Sequence, residues 1–385
     1  MSDPQFEYSR FRQQVLKWAT RSPRELPWRE AGDPYLVWIS EIMLQQTTVA
    51  AVIPYFERFL EHFPQLSDLA AAEEEQVLRL WEGLGYYSRA RNLLKTARLV
   101  VEQYGGKLPS DPDQLLQLPG IGKYTAGAIL SFGFGKPAPI VEANTERLFA
   151  RLLGVTEEVR KSASQKQLWA FAEQAVSRRK PGKFNQAVMD LGSLVCTPKQ
   201  PKCFQCPVSE HCVAHRENLM EQIPRFKPRV KPTELLELAI VIRNAQGEIL
   251  LRQCGSKERW AGLWDVPRWE IEQPSEQLWQ LAQSCFKKRS ASRLQTGLFD
   301  DQALELMGGK AELEARSGCR LKQLRLKTAL RHTVTRYKIT LLVYEAELKT
   351  QTDPALWQPS QWSQQQEWDE IPLSTTGRTI LSGLD

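Results

Sequence analysis

Four cysteines fall within seventeen residues, Cys196, Cys203, Cys206 and Cys212, in the spacing C-x6-C-x2-C-x5-C. A cluster this dense asks for a metal. Four thiolates so close can enclose a tetrahedral zinc or an iron–sulfur cluster. Zinc sites more often use two separated C-x2-C knuckles, and only one such pair occurs here. The spacing alone leaves both open. The remaining cysteines, Cys254, Cys285 and Cys319, are scattered, and an odd total of 7 argues against a disulfide framework. They read as ordinary free thiols.

Around this cluster the chain changes character once. A length of 385 residues is more than one compact core usually takes, so two domains are expected. Residues 1–220 read as helical: Glu73–Trp81, Arg89–Tyr104 and Gln165–Ser177 carry apolar residues at three- and four-residue spacing. Pro64, Gly105, Gly106, Pro109, Pro112 and Pro137 punctuate them. Residues 221–232, EQIPRFKPRVKP, are rich in proline and basic residues, the chemistry of an extended, solvated linker. Beyond it, 233–385 form a smaller α/β domain. Leu236–Arg243, Ile249–Arg252 and Ile339–Glu347 read as strands, Asn244–Gly247 as a turn and Leu278–Lys287 as a helix.

Charge follows the same division. Residues 1–232 hold 31 Lys+Arg and 25 Asp+Glu, a net of 31 − 25 = +6, which is the whole formal charge of the chain. A polyanion would be drawn to the first part, although on charge alone a slightly basic soluble domain is the better account. No apolar run is long enough to span a bilayer, and the polar start Met1–Arg12 lacks a signal sequence's apolar core. The expectation is a cytoplasmic protein that does not engage membranes.

Between two helical stretches lies Leu118-Pro-Gly-Ile-Gly122. Gly120 and Gly122 allow a tight turn, and a helix from about Tyr124 to Phe132 would point its N-terminus at it. Free amides and the positive helix end make an anion site that grips phosphate without reading sequence. A helix–loop–helix corner of no special function is the plainer alternative. In Tyr35–Leu44, Glu41 is the only charge, and a carboxyl in apolar company tends toward a raised pKa, as a general acid requires.

These motifs together resemble the endonuclease III superfamily of helix-hairpin-helix DNA glycosylases, and within it the MutY family. The cysteine spacing, the preceding Phe184–Gly192 and the L-P-G-x-G turn carry the superfamily likeness. Val37–Thr47 with Val52–Phe59 looks very like the MutY segment that holds its catalytic Glu. The resemblance implies a mainly α glycosylase domain with a [4Fe–4S] loop on Cys196, Cys203, Cys206 and Cys212, with Lys199 and Lys202 near phosphates. It implies a monomer in the bacterial cytoplasm, at the nucleoid, that binds double-stranded DNA and excises adenine opposite 8-oxoguanine or guanine.

Site residues follow from the same likeness. Glu41 is matched to the acid that protonates adenine N7. Glu142, in Pro139–Leu148, stands where the family carries Asp, as the carboxylate beside the developing sugar cation; Ala143 replaces a Gly, and Asn144 is retained as a positioning group. Glu is one methylene longer than Asp, and a misplacement near 1 Å can cost roughly 100-fold in rate. Tyr124 stands where the strand-cleaving relatives carry a Schiff-base lysine, so hydrolysis without lyase chemistry is implied. Lys123 is one residue off that place, would point about 100° away round a helix and reads as a phosphate contact. Trp28 and Arg29 resemble the flipped-base pocket, while Gln46, Thr47, Leu84 and Tyr86 resemble groups that enter or touch the duplex.

The second domain resembles the Nudix-like domain that ends MutY proteins and reads the lesion, through Leu250–Arg252 and Trp260–Pro267. It has no R-E-x-x-E-E core for nucleotide hydrolysis. Where the family often carries Phe-Ser-His, this chain reads Val334-Thr335-Arg336; Thr335 keeps a hydroxyl, and Arg336 could reach a phosphate or a purine edge. Two rivals stand beside this reading: a thymine glycosylase acting on T:G mismatches, and a lesion-binding protein whose catalysis has lapsed.

Overall fold

A computed structural model describes residues 6–21, 24–29, 32–228, 230–286, 302–351 and 356–384. The chain divides into two compact units, Met1–Pro228 and Arg229–Asp385.

The first unit is helical. Its helices are α1 (Tyr8–Ala19), α2 (Pro34–Leu44), α3 (Val49–His62), α4 (Leu66–Ala71), α5 (Glu74–Trp81), α6 (Ser88–Tyr104), α7 (Pro112–Gln117), α8 (Lys123–Ala128), α9 (Ala143–Leu153), α10 (Ser162–Ala175), α11 (Pro181–Leu194) and α12 (Val213–Arg216). Local chemistry sets several ends. Asp33 caps α2 by accepting from the Tyr35 amide, with Pro34 in the first turn. Asp111 and Pro112 do the same for α7. Gly105, at φ 61°, closes α6 in the left-handed conformation.

One core of this unit gathers Phe11 and Val15 of α1, Phe149 of α9, Phe171 of α10 and Phe184 of α11, with the rings meeting edge to face. Each fully buried ring contributes roughly 1.5–3 kcal/mol. Phe184→Ala would leave a cavity costing about 3–5 kcal/mol. Helix α2 runs through the interior: every residue from Val37 to Met43 is buried, Glu41 among them.

Two expectations about this unit change. The helix after the hairpin begins at Lys123 and widens into a π turn over Ile129–Gly133. Gly133 lies against Pro34, where a Cβ would come within 2.6 Å of the Pro34 Cα, so the turn packs directly on the start of α2. The Pro-rich stretch 221–232 is not solvated along its whole length. Ile223 is buried in the helical core, its carbonyl accepts from Arg151 Nε at 2.8 Å, and the Arg225 carbonyl accepts from the Val159 amide at 2.9 Å. A lone isoleucine among prolines and bases gave little sign of this anchor.

The second unit is built on a seven-stranded sheet in the order β3-β2-β1-β6-β5, with β4 paired to β1 and β7 to β2. Its strands are β1 (Thr233–Arg243), β2 (Ile249–Gln253), β3 (Trp264–Asp265), β4 (Arg268–Glu270), β5 (Cys319–Val334), β6 (Tyr337–Gln351) and β7 (Ser360–Ser363). Strands β1 and β6 run parallel in an unbroken register from Thr233↔Tyr337 to Arg243↔Glu347. Strands β5 and β6 form a long antiparallel hairpin that turns at Thr335 and Arg336. Apolar side chains cover both faces: Leu238, Ile240 and Leu342 on one, Ala239, Val241 and Val343 on the other. Helices α13 (Glu276–Ser284) and α14 (Gly309–Ser317) lie with the first face, and α15 (Thr375–Ser382) with the second. The expected helix Leu278–Lys287 corresponds to α13; Lys287 lies outside the described residues.

Candidate active site

The helical unit holds a cleft of about 960 Å³ lined from α2, α8, α11, the start of α9 and the loop before α3. Trp28, Arg29, Glu41, Gln46, Thr47, Tyr124, Glu142 and Asn144 all line it. Residues spread over more than a hundred positions therefore meet in one place.

Glu41 lies on the buried stretch of α2 and is only 4% exposed. Tyr124, in the first turn of α8, donates its hydroxyl to Glu41 Oε2. Burial drives the Glu41 carboxyl up, the Tyr124 hydrogen bond pulls it partly back, and the Glu142 charge adds to the rise. It comes to rest at about 7. The same surroundings push the Tyr124 phenol well above its ordinary value, so it remains a donor.

Glu142 caps α9. Its carboxylate accepts from the amides of Asn144 (2.8 Å) and Thr145 (2.9 Å) and from Asn144 Nδ2 (3.2 Å). Thr145 returns its hydroxyl toward the Glu142 amide (2.9 Å), completing a capping box. Burial raises the Glu142 pKa, with the two amide bonds and the Arg147 charge opposing it. Asn144 is held from its other side, where Oδ1 accepts from Arg147 Nη2 at 3.0 Å. Gly192 of α11 lets this loop seat closely; a Cβ there would lie 2.7 Å from the Asn144 carbonyl oxygen.

Three expected contacts look different in the structure. Arg29 forks onto Asp190 of α11 at 2.7 and 2.8 Å, so its guanidinium already holds a carboxylate within the cleft wall. Trp28 is buried edge-on against Phe56 and serves as wall. Leu84 is packed inward, where an exposed contact was expected; its neighbour Tyr86 is 43% exposed. Gln46 and Tyr86 both adopt left-handed backbone, at φ 59° and 49°. That is uncommon for such residues and marks positions set by their surroundings. Asp190 was missed although its signal matched that of Glu41, a lone acid in the apolar run of α11.

In the hairpin, Gly120 takes φ 78° and also lies against Asn92, whose Cβ would be 3.0 Å from an added Cβ. Gly122 is extended and caps α8, so its backbone needs no glycine. Thr96 Oγ1 donates to the Pro119 carbonyl and pins the turn to α6. Lys123 is exposed, with its ammonium 4.1 Å from the centre of the Trp169 ring.

The four clustered cysteines line one small cavity together with Leu148, Leu152 and Val195. Arg151 Nη1 is 3.3 Å from Cys196 Sγ. Among the described residues, no three His, Cys, Asp or Glu side chains close on one point as ligands of a single ion do. Burial pushes the Cys206 thiol up to about 12 and the Cys212 thiol to about 11. In the second unit, Thr335 turns the β5–β6 hairpin at φ 51°, and Arg336 Nη2 donates to the Tyr337 hydroxyl at 2.9 Å.

The HhH-GPD superfamily of base excision DNA repair proteins matches residues 39–174, and the NUDIX domain matches 238–383. An adenine DNA glycosylase of Homo sapiens is 35% identical over 97% of this chain and 74% of its own length. The chain belongs to the adenine DNA glycosylase family. Another member, from Buchnera aphidicola, is 38% identical over 68% of this chain and 76% of its own. The helical unit also superposes on a thermostable thymine-DNA glycosylase with a TM-score of 0.51 and 32% identity, covering 55% of this chain and 97% of that one. This family membership accounts for the whole two-unit plan, a helix-hairpin-helix unit followed by a Nudix-like α/β unit. Among the described residues, no helix is long and apolar enough to cross a membrane.

Proposed function

We propose that this glycosylase hydrolyses the N-glycosidic bond of adenine mispaired with 8-oxoguanine or guanine in double-stranded DNA. The observation that carries the proposal is the pairing, in one cleft, of a buried carboxyl titrating at about 7 with a second carboxylate held by backbone amides. Breaking the C1′–N9 bond sends the bonding electrons into the base and leaves an oxocarbenium-like sugar. Glu41 gives its proton to adenine N7, so the base leaves neutral. Glu142, fixed at the start of α9, stabilises the cation. Water then adds to C1′, and the Glu41 carboxylate accepts its proton. The Tyr124 hydroxyl holds Glu41 in place and steadies it while it is ionised. An acid whose pKa lies near the working pH is suited to this two-way traffic.

Tyr124 offers no amine to the sugar, which supports hydrolysis without Schiff-base strand cleavage. Gln46, Thr47 and Tyr86 would meet the duplex at the vacated position, and Gly120, Gly122 and Lys123 its backbone. Thr335 and Arg336 would meet the opposite base. Cys196, Cys203, Cys206 and Cys212 would hold a [4Fe–4S] cluster. Four cysteines lining one cavity suit a multi-atom cluster better than one zinc bound at about 2.3 Å from each sulfur. When bound, such a cluster would hold the loop folded; the proton moves on Glu41, and Glu142 supplies the standing charge. We place this activity in the bacterial cytoplasm, on the nucleoid, with one chain acting alone.

The test is single-turnover base release from A:8-oxoguanine, A:G and T:G duplexes. Selective adenine release is expected. Release of thymine from T:G would move the assignment to the thymine glycosylases, and tight binding without any release would make the chain a lesion-binding protein.

A further inference from the structure

Arg89, the first basic residue of α6, is 8% exposed and its guanidinium serves five carbonyls. Nη1 donates to Ile42 (2.8 Å), Met43 (3.0 Å) and Gln45 (2.5 Å) at the C-terminal end of α2. Nη2 donates to Leu84 and Gly85, both at 3.0 Å, in the loop before α6. The group lies over the Trp81 ring at 5.3 Å and the Tyr86 ring at 5.6 Å. Trp81 Nε1 adds a bond to the Gly85 carbonyl at 3.1 Å. The end of a helix exposes carbonyls that lack intrahelical partners and carry partial negative charge, which a buried cation satisfies.

The two segments so joined each lead into a left-handed residue that faces outward, Gln46 after Gln45 and Tyr86 after Gly85. We infer that Arg89 is a positioning residue: it clamps the end of α2 to the Gly83–Tyr86 loop, so that Gln46 and Tyr86 are presented to the duplex at a fixed separation. The inference rests on the proposed reading of these two residues as the groups that enter the duplex. Lysine cannot replace Arg89, because a point ammonium lacks the planar fork that reaches both segments at once.

Arg89→Lys is tested in the full chain by amide hydrogen exchange and by flipping of 2-aminopurine placed at the adenine position. Exchange should rise roughly tenfold in both 42–47 and 83–87 together. Flipping should fall as far as in Tyr86→Ala, and adding Tyr86→Ala to Arg89→Lys should cost little more, since coupled sites are non-additive. The high-pH limb of base release, which belongs to Glu41, should stay in place. Loosening of one segment alone, full additivity, or a moved limb would overturn the clamp. If both segments loosen while Tyr86→Ala and Gln46→Ala flip normally, the clamp stands and the duplex-entry reading falls. Should Arg89→Lys fail to fold, Trp81→Phe removes the Gly85 bond and shrinks the ring beneath the guanidinium: exchange should rise in 83–87 with a partial loss of flipping, and unchanged exchange there would overturn the clamp.

Discussion

Glu41 and Glu142 carry the same functional group into the same cleft, burial raises the pKa of both, and the partners each one finds differ. Glu41 sits in the middle of a buried helix, where the backbone amides are already spent on helical bonds; its recorded partner is the Tyr124 side chain. Glu142 sits at a helix start, where two amides are free to hold the ionised form. Position along a helix therefore separates a carboxyl suited to carrying a proton from one suited to standing charged. The Glu142 side chain folds back to cap its own helix, so the charge stays anchored at the cleft wall.

The strongest way to break the comparison is to remove the proton. Glu41→Gln should slow base release by about 10²–10⁴-fold or more while duplex affinity is retained; an active variant would end the assignment. Glu142→Gln keeps a capping acceptor and loses only the charge. It should slow release by roughly 100-fold with a nearly unchanged Tm, whereas Glu142→Ala should lose the rate and also about 1 kcal/mol of stability. A large Tm loss in Glu142→Gln would mean that the carboxylate serves folding more than chemistry.

A sharper probe is Tyr124→Phe. The hydroxyl bond lowers the Glu41 pKa, so its loss should move the high-pH limb of activity upward, with a severalfold lower rate. A limb that stays put would detach Tyr124 from the proton. Stability offers the smallest effect. The Glu41 pKa is raised on folding, so the folded state binds the extra proton between the unfolded value of 4.5 and about 7. The stability this proton supplies is complete below 4.5 and is lost as pH rises through about 7. Glu41→Gln should therefore gain about 3 kcal/mol over the parent at pH 8 and little at pH 4. Equal Tm differences at both pH values would contradict the burial account.

What the amino-acid order disclosed was what lies close along the chain. The cysteine spacing, the L-P-G-x-G turn, Glu41 alone in its apolar run and the switch from helical to alternating periodicity are all local patterns, and each marks a real feature. Pairings across long separations were silent. Asp190 meets Arg29 over 161 positions, and Tyr124 meets Glu41 over 83. Neither residue type names its partner in advance. The parallel pairing of β1 with β6 and the anchoring of Ile223 were hidden for the same reason. So was Arg89, whose single side chain replaces the cap that the end of α2 lacks in sequence.

The central claim is that two carboxyls of different pKa divide the work, and the pH profile of adenine release tests it most directly. Measured on an A:8-oxoguanine duplex well below saturation, the rate should form a bell. It should rise as Glu142 ionises above the ordinary carboxylate range and fall about tenfold per pH unit above about 7, as Glu41 loses its proton. A rate that stays level from pH 7 to 9, or one that keeps rising, would contradict it.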